Sequence, residues 1–408
     1  MASDEQPFEA SAAIAGSRPD SFPLLDGLRG LAALAVFAFH GFLIIGWNDV
    51  PEWVDRVGET QVRAFTSVTT YMGWEAVAVF YVMSAFLLYR PFVLARMEGQ
   101  SSDVGRFAIR RVARILPAYW LALVLLGLLG RGSNVFSLSG LRDYFLFGQI
   151  YSGQGTTWNN PVEPAWTICV EVSFYIFLPV WAWLAAKLVG RTRNPVRTEA
   201  LMLLCLMLVS VGWKVFALGH TTIREAHQPL LLTLPGSLDV FAAGMLVALC
   251  SVPAVPAGER LGRFAARRFL AVGTAAMIFL LMCGLAASGS VLDGEWKKQV
   301  MTVSILKIPV AALLLVVATF SVRSGGFTRR LFAFRAVAWV GVVSYGFYLW
   351  HVALFRWTDQ LLGQGTVTLL ELPLVIAAVL VAALGIAAAS WYLVERPILR
   401  RVHRRKSS

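Results

Sequence analysis

About ten apolar runs, each of helical length, set the strongest limit on how this chain can fold. They lie near residues 27–46, 71–89, 115–130, 165–186, 200–219, 230–250, 269–288, 303–321, 336–356 and 370–394. A bilayer core about 30 Å thick needs about 20 apolar residues per helix, whereas the strands of a β-barrel need far fewer. Only 15% of the residues are charged, compared with about 25% in soluble domains. The sequence therefore predicts an all-α polytopic membrane helix bundle.

The positions of the basic residues predict how this bundle is oriented. Most of the 36 Lys and Arg residues lie in alternate connections, at 90–114, 187–197, 260–268, 323–335 and 396–406. Because short cytoplasmic loops are enriched in Lys and Arg, this placement predicts cytoplasmic N- and C-termini. The net charge of +12 then follows from topology and contact with anionic lipids, and it does not indicate nucleic-acid binding.

The two polar ends of the chain flank a single predicted domain. Residues 1–21 lack the basic start and apolar core of a cleavable signal peptide, so we expect a disordered cytoplasmic tail there. Residues 22–398 show no second soluble domain, and a basic cytoplasmic tail follows at 399–408. We expect a multi-pass protein of the cell inner (plasma) membrane.

Ionisable residues inside the apolar runs are the main functional signal. A charge at mid-membrane costs at least about 2.5–3.5 kcal/mol, so each such group needs a partner or a role. Six predicted helices carry such groups in the outer half or near the middle of the membrane: His40, Glu75, Glu171, Asp239, Lys307 and His351. This distribution predicts a polar chamber that opens outward.

The first helix carries the most specific pattern, LDGLRGLAALAVFAFH, with Arg29 and His40 eleven residues apart. Eleven residues are close to three helical turns, so the two side chains share a face and lie about 16 Å apart. Arg29 would lie at the cytoplasmic end, where a guanidinium group binds phosphate well. His40 would lie deeper, where an imidazole can take a proton from an alcohol.

Two arginines of the next cytoplasmic segment, RRVARILPAYW, extend this pattern. Arg111 and Arg114 are three residues apart and face together if a helix begins before Pro117. With Arg29 they can hold a phosphorylated nucleotide donor, or they can be ordinary anchors on the positive inner face.

Other intramembrane groups also allow two interpretations. Glu171 can orient His40, or it can be only a hydrogen-bond acceptor between helices. His351 can line the chamber, or it can be an interfacial side chain beside its aromatic neighbours. Glu395, at the inner end of the last helix, is expected to pair with an arginine.

Taken in chain order, seven segments resemble the acyltransferase-3 family of integral membrane O-acyltransferases, over about residues 22–398. The segments are LDGLRGLAALAVFAFH, VFYVMSAFLLYRPF, RRVARILPAYW, PAWTICVEVSFY, LPGSLDVFAAGM, SYGFYLWH and LVERP. The resemblance implies transfer of an acyl group from cytoplasmic acyl-CoA to a hydroxyl of a carbohydrate, a glycolipid or a glycosylated metabolite. One departure is Ser84-Ala85-Phe86, where the family usually has Ser-Gly-Phe, so Ala85 adds a methyl where backbones can approach closely.

The resemblance adds weight to specific residues. It implies that His40 is catalytic as a general base, with Glu171 in support. It implies that the donor binds Arg29, Arg111 and Arg114. The candidates for the substrate chamber remain Glu75, Asp239 and His351.

The expected partners are acyl-CoA, a hydroxylated sugar or glycolipid acceptor and membrane lipids. No metal and no permanently bound cofactor is expected, because the His and acidic residues lack paired ligand spacing. The alternative function is a transporter or flippase of an envelope precursor, since intramembrane charges on many helices suit that class too. The lack of a detectable internal repeat argues against this alternative.

Overall fold

The computed structural model describes residues 22–46, 55, 58–132, 134–152, 161–220, 230–253, 255–288, 296–320, 327–363, 367–368 and 371–404. Within these ranges the chain is helical and has no strand. The predicted tail at 1–21 lies outside the described residues. The helices are α1 (Leu24–Gly41), α2 (Glu59–Met97), α3 (Val104–Leu128), α4 (Trp166–Val189), α5 (Pro195–Gly219), α6 (Leu234–Cys250), α7 (Pro256–Ala266), α8 (Arg268–Ser288), α9 (Trp296–Phe320), α10 (Phe327–Phe332), α11 (Arg335–Leu362), α12 (Leu372–Ser390) and α13 (Arg396–Arg404).

Eight helices in the described part of the chain are long and apolar enough to cross a membrane, or nine if a bent helix pair around α7 and α8 counts as one span. The predicted run at 230–250 corresponds to α6, which has only 17 residues. Pro235 lies in the first turn of α6. Because proline fits the beginning of a helix and not its interior, α6 begins later than the apolar run does. The prediction of an all-α membrane bundle is therefore confirmed, the count of ten is not, and the orientation stays a prediction.

Helix α1 packs along α11 with the two backbones almost in contact. A Cβ atom built on Gly30 would lie 2.0 Å from the Val337 carbonyl oxygen, and one built on Gly341 would lie 1.9 Å from that of Asp26. Small residues permit this close approach of helices in membranes. The helices run in the same direction, since Gly41, near the other end of α1, approaches Phe355 of α11. Residues ten positions beyond the Gly30–Gly341 crossing therefore lie at a similar height on both helices.

The α1–α11 crossing gives a stability prediction. Gly341→Ala should lower the free energy of unfolding by about 1–3 kcal/mol, because the new methyl has no space and the backbone cannot yield cheaply. The matched control is Gly385→Ala in α12, where a Cβ would meet no atom within 4 Å. Thermal unfolding in detergent should show a lower Tm for the first variant and an unchanged or slightly higher Tm for the second. Equal Tm values would contradict the tight crossing.

Ala85, the residue that departs from the family pattern, lies in α2 where that helix crosses α6. Ala85 is completely buried. A Cβ on Gly244 of α6 would lie 2.3 Å from the Val82 carbonyl oxygen and 2.9 Å from the Ala85 methyl. The α2–α6 crossing is thus close despite Ala85, because Gly244 of α6 provides the space that the close approach requires.

Candidate active site

His40 lies in the last turn of α1, directly before a five-residue π-helical segment, Phe42–Gly46. His351 of α11 lies ten residues beyond Gly341, and its Nε2 is 3.1 Å from Nδ1 of His40. His351 is only 1% exposed, and its ring is buried against α1. The parallel α1–α11 packing thus brings together two histidines that are 311 residues apart.

The contacts of the two rings define which nitrogens carry protons. Nδ1 of His351 lies 3.1 Å from the Phe347 carbonyl oxygen and 2.9 Å from that of Tyr348. Carbonyl oxygens only accept, so Nδ1 of His351 carries its proton and its Nε2 offers a lone pair. Nδ1 of His40 lies between that lone pair and the Val36 carbonyl oxygen, 2.9 Å away. In the neutral dyad His40 donates from Nδ1, which leaves its Nε2 unprotonated.

His40 lines a cavity of about 310 Å³, which we call the histidine cavity. Its wall comes mainly from α1, α2 and the segment before α4. The lining residues are Val36, Phe39, His40, Leu43, Ile44, Thr70, Gly73, Trp74, Val77, Glu163, Pro164, Trp166, Leu232, Tyr348 and Arg356. The cavity therefore offers a histidine, a carboxylate and a guanidinium group within a largely apolar wall.

The charged wall of the histidine cavity is an ion triad that the sequence analysis did not identify. Glu163 accepts from Arg356 Nε and from a terminal nitrogen of the same residue, both at 3.1 Å, and from Arg131 at 2.7 Å. Glu163 is 9% exposed. Two guanidinium groups share one carboxylate, so the triad carries a net positive charge. It also ties the short helical turn Glu163–Ala165 to α11 and to the end of α3.

A second cavity, of about 150 Å³, is lined by all three predicted donor-binding arginines, and we call it the arginine cavity. Its lining residues are Arg29, Val77, Phe80, Tyr81, Met83, Ser84, Leu87, Leu88, Arg111, Arg114, Ile115, Thr167, Ile168, Glu171, Tyr175, Ser344, Tyr345 and Tyr348. Five helices supply these residues: α1, α2, α3, α4 and α11, and α4 contributes the acidic Glu171. Three cations face one carboxylate there, an arrangement that attracts an anion.

The three arginines differ in how they are paired. Arg29 donates to Asp26 at 3.0 Å, and Arg114 donates to Glu395 at 3.1 Å. The Glu395 pair agrees with the expectation that this acid meets an arginine. Arg111 lies over the Tyr175 ring, and its buried Nε has no hydrogen-bond partner among the residues that the structure describes. A buried unsatisfied donor is costly, so a ligand anion in this cavity would relieve that cost.

Glu171 lies in the arginine cavity and not in the histidine cavity. It lies beside Ser84 and Tyr175 and within electrostatic range of Arg29 and Arg111. The expectation that Glu171 orients His40 is therefore corrected, because His351 makes that contact. The separation is along the helix axis: Glu171 lies within electrostatic range of Arg29, which is about 16 Å along α1 from His40.

Glu75 and Asp239 line neither of these two cavities, and their place in the substrate chamber stays a prediction. Asp239 is fully buried and forms an ion pair with Lys214 of α5. Glu75 is 6% exposed and lies on the opposite face of α2 from Val77. Lys307 lies within electrostatic range of both acids. These groups form a separate buried cluster between α2, α5, α6 and α9.

Tyr348, like the ion triad, is a cavity residue that the sequence analysis did not identify. It lines both cavities, as does Val77. Its position three residues before His351 places it on the same helical face, which is the signal that could have identified it. No such helical spacing points to the ion triad of Arg131, Glu163 and Arg356. Its central residue, Glu163, belongs to a connection between helices, where helical spacing gives no prediction.

Comparison with known proteins identifies the family of this chain. The family model described as an acyltransferase domain, acyltransferase-3, matches residues 22–392. The peptidoglycan O-acetyltransferase OatA of Listeria monocytogenes is 23% identical over 92% of this chain and 55% of its own length. A putative membrane-bound transacylase, BcsY, of Komagataeibacter xylinus is 26% identical over 91% of this chain and 81% of its own length. The acyltransferase MdmB of Streptomyces mycarofaciens is 30% identical over 41% of this chain and 40% of its own length.

The chain spans about half the length of the peptidoglycan O-acetyltransferases that it matches. No solved structure matches it significantly. The family match covers nearly the whole described bundle, both cavities and the His40–His351 dyad included, and it favours an acyltransferase over a transporter. The chain is a multi-pass membrane enzyme that belongs to the acyltransferase-3 family.

Proposed function

We propose that the protein is an O-acyltransferase of the inner (plasma) membrane that moves an acyl group from cytoplasmic acyl-CoA to a hydroxyl group of an envelope carbohydrate. The observation that carries the proposal is the meeting of two cavities, one with three arginines and one with His40, at shared wall residues. A phosphorylated donor suits the first cavity and an alcohol suits the second. The relatives named as peptidoglycan O-acetyltransferases support a carbohydrate acceptor.

The donor end of the proposal rests on the arginine cavity. Guanidinium groups bind phosphate oxygens in a fork geometry, and the unpartnered Nε of Arg111 is ready to donate. Arg29 and His40 are eleven residues apart along α1, about 16 Å. A donor whose phosphates remain at Arg29 therefore needs a flexible arm of about this length to bring its thioester to His40. The pantetheine arm of coenzyme A is such an arm.

The transfer step follows from the tautomer of the dyad. His40 Nε2 takes the proton of the acceptor hydroxyl as the oxygen attacks the thioester carbonyl carbon. A C–O bond forms, the C–S bond breaks, and the proton passes from His40 to the departing sulfur. The products are an ester and a free thiol. His351 accepts from His40 Nδ1 throughout and keeps Nε2 available.

A reconstitution assay tests the proposal. The purified protein is placed in vesicles with labelled acetyl-CoA and a panel of hydroxylated acceptors, among them peptidoglycan fragments and lipid-linked sugars. The expected result is thiol release matched by a labelled ester on one acceptor. Vesicles that carry the intact protein and consume no acyl-CoA with any acceptor, but transport a labelled sugar precursor, would contradict it.

Arg111 provides a test of the donor site. Arg111→Gln should raise KM for acetyl-CoA about 10- to 100-fold, because a hydrogen bond to a charged group contributes about 1.5–3 kcal/mol. The same variant should use an acetyl thioester of pantetheine, which lacks phosphates, as well as the wild type does. Arg110→Gln is the matched control, since Arg110 is the adjacent arginine on α3 and does not line the cavity. Equal losses with both donors would assign Arg111 a structural role instead.

His351 provides a test of the dyad. His351→Ala should lower kcat by about tenfold to a hundredfold, less than the loss of a general base itself, with KM for acetyl-CoA nearly unchanged. His351→Gln should recover part of this loss, because the amide oxygen can accept from His40 Nδ1. Steady-state kcat and KM values of the wild type, His351→Ala and His351→Gln test this positioning role of His351. Identical losses for alanine and glutamine would remove the positioning role.

A further inference from the structure

The two cavities meet at one place in the bundle. Tyr348 of α11 and Val77 of α2 belong to the linings of both. If the donor's phosphates lie at the arginines and the attack occurs at His40, the acyl group must pass this junction. The inference therefore rests on the proposed function and concerns which acyl groups can pass.

The Tyr348 side chain is held in place at both ends. Its hydroxyl lies 2.7 Å from the Thr167 hydroxyl and donates to the Pro164 carbonyl oxygen at 3.0 Å. Its ring packs edge-on against Phe80, with centroids 6.3 Å apart, and lies 5.7 Å from the His351 ring. Hydrogen bonds and ring contacts thus fix the ring across the junction, next to the catalytic dyad.

The space beyond the junction is poorly suited to a long acyl chain. The histidine cavity of about 310 Å³ must also hold the acceptor hydroxyl and the atoms around it. Its wall is largely apolar, with Glu163 and Arg356 as charged members, so the room left beside the acceptor, and not the polarity of the wall, limits the acyl chain there. A chain that stays behind the junction would compete with the donor arm for the smaller arginine cavity of about 150 Å³.

We propose that Tyr348, with Val77 opposite, is the specificity-determining residue for acyl length and restricts transfer to short acyl groups such as acetyl. The ring leaves a passage for a thioester with few carbons and blocks a longer chain at the step where its carbonyl approaches His40. Tyr348 takes no proton and forms no bond in this role. It acts through its bulk, and its hydroxyl only anchors the ring.

The test compares acetyl-, butyryl- and octanoyl-CoA as donors for one acceptor and reports the ratio of kcat/KM values. The wild type should strongly prefer acetyl-CoA. Tyr348→Ala should shift the octanoyl-to-acetyl ratio upward by at least about tenfold, since single methylenes in a tight pocket already change selectivity about 10- to 200-fold. Tyr348→Phe keeps the ring and should keep a ratio near that of the wild type. Leu208→Ala, on the exposed face of α5 and outside the linings of both cavities, should leave the ratio unchanged.

Val77→Ala keeps the test decisive if Tyr348→Ala does not fold, because it widens the same passage from α2 and should shift the ratio in the same direction. An active wild type that prefers octanoyl-CoA, or folded and active Tyr348→Ala and Val77→Ala variants with the wild-type ratio, would overturn the inference and leave the proposed function intact. A wild type that transfers no acyl group from any of the three donors would instead refute the proposed function.

Discussion

His40→Ala is expected to lower kcat/KM for acyl transfer by about 10²- to 10⁴-fold, the usual contribution of a positioned general base. The variant removes the ring whose Nε2 the His351 contact leaves unprotonated. It leaves the arginine cavity untouched, because His40 is not part of that lining. The measurement is labelled ester formation in vesicles at several acyl-CoA concentrations, with the fold checked by Tm. KM for acyl-CoA should change little.

His220 supplies the control for this experiment. Its Nδ1 lies 2.9 Å from the carbonyl oxygen four residues earlier, the same local contact that His40 makes. It is exposed at the end of α5 and lines neither cavity. His220→Ala should therefore keep wild-type activity. Retention of the wild-type rate by a folded His40→Ala protein would remove the base from the mechanism and leave the two cavities without their chemistry.

The same assay distinguishes two routes that the His40 geometry permits. In the direct route the acceptor oxygen attacks the thioester, so no thiol is released before an acceptor is present. In the covalent route His40 Nε2 attacks first, which releases one thiol per protein and leaves the acyl group on the ring. A burst of thiol in the absence of acceptor, together with an acylated His40 peptide in mass spectrometry, would establish the covalent route.

Much of the fold could be predicted because the signals are local. Apolar runs of helical length follow directly from bilayer thickness, and each predicted run corresponds to a helix among the described residues. The count was less accurate because hydropathy cannot show where a helix bends or begins. Pro235 starts α6 four residues later than the apolar run does, and the bend between α7 and α8 depends on packing.

The candidate site, like the fold, has a part that local sequence signals predict and a part that depends on how the helices pack. Arg29, Arg111 and Arg114 were predicted to converge because helical spacing along α1 and α3 fixes their faces, and they share one cavity. The partner of His40 could not be predicted, since the His40–His351 contact depends on the α1–α11 crossing at Gly30 and Gly341. The pairing of Asp239 with Lys214 could not be predicted for the same kind of reason. Depth along a helix is readable from sequence, but the direction a side chain faces within the bundle depends on its neighbours.

Lys214→Met is expected to destabilise the folded protein by about 3–5 kcal/mol, because it leaves the Asp239 carboxylate buried without its cation. Asp239 is fully buried and Lys214 is 2% exposed, and the remaining oxygen of Asp239 accepts from the Val240 amide, at 2.9 Å. In a membrane bundle no water is available to replace the lost partner. Thermal unfolding in detergent and the yield of monodisperse protein measure the effect.

The double variant Lys214→Met/Asp239→Leu decides whether this pair is structural or part of the substrate chamber. Replacing both members of a buried ion pair with apolar residues is often neutral, or stabilising by about 1–4 kcal/mol. The double variant should therefore recover the Tm lost by Lys214→Met and retain acyl transfer, since neither residue lines the histidine or the arginine cavity. A double variant that folds with the wild-type Tm but transfers no acyl group would return Asp239 to the reaction. Recovery of both properties would mean that Asp239 and Lys214 only compensate each other's charge between α5 and α6, and that the chemistry depends on the His40 side of the bundle.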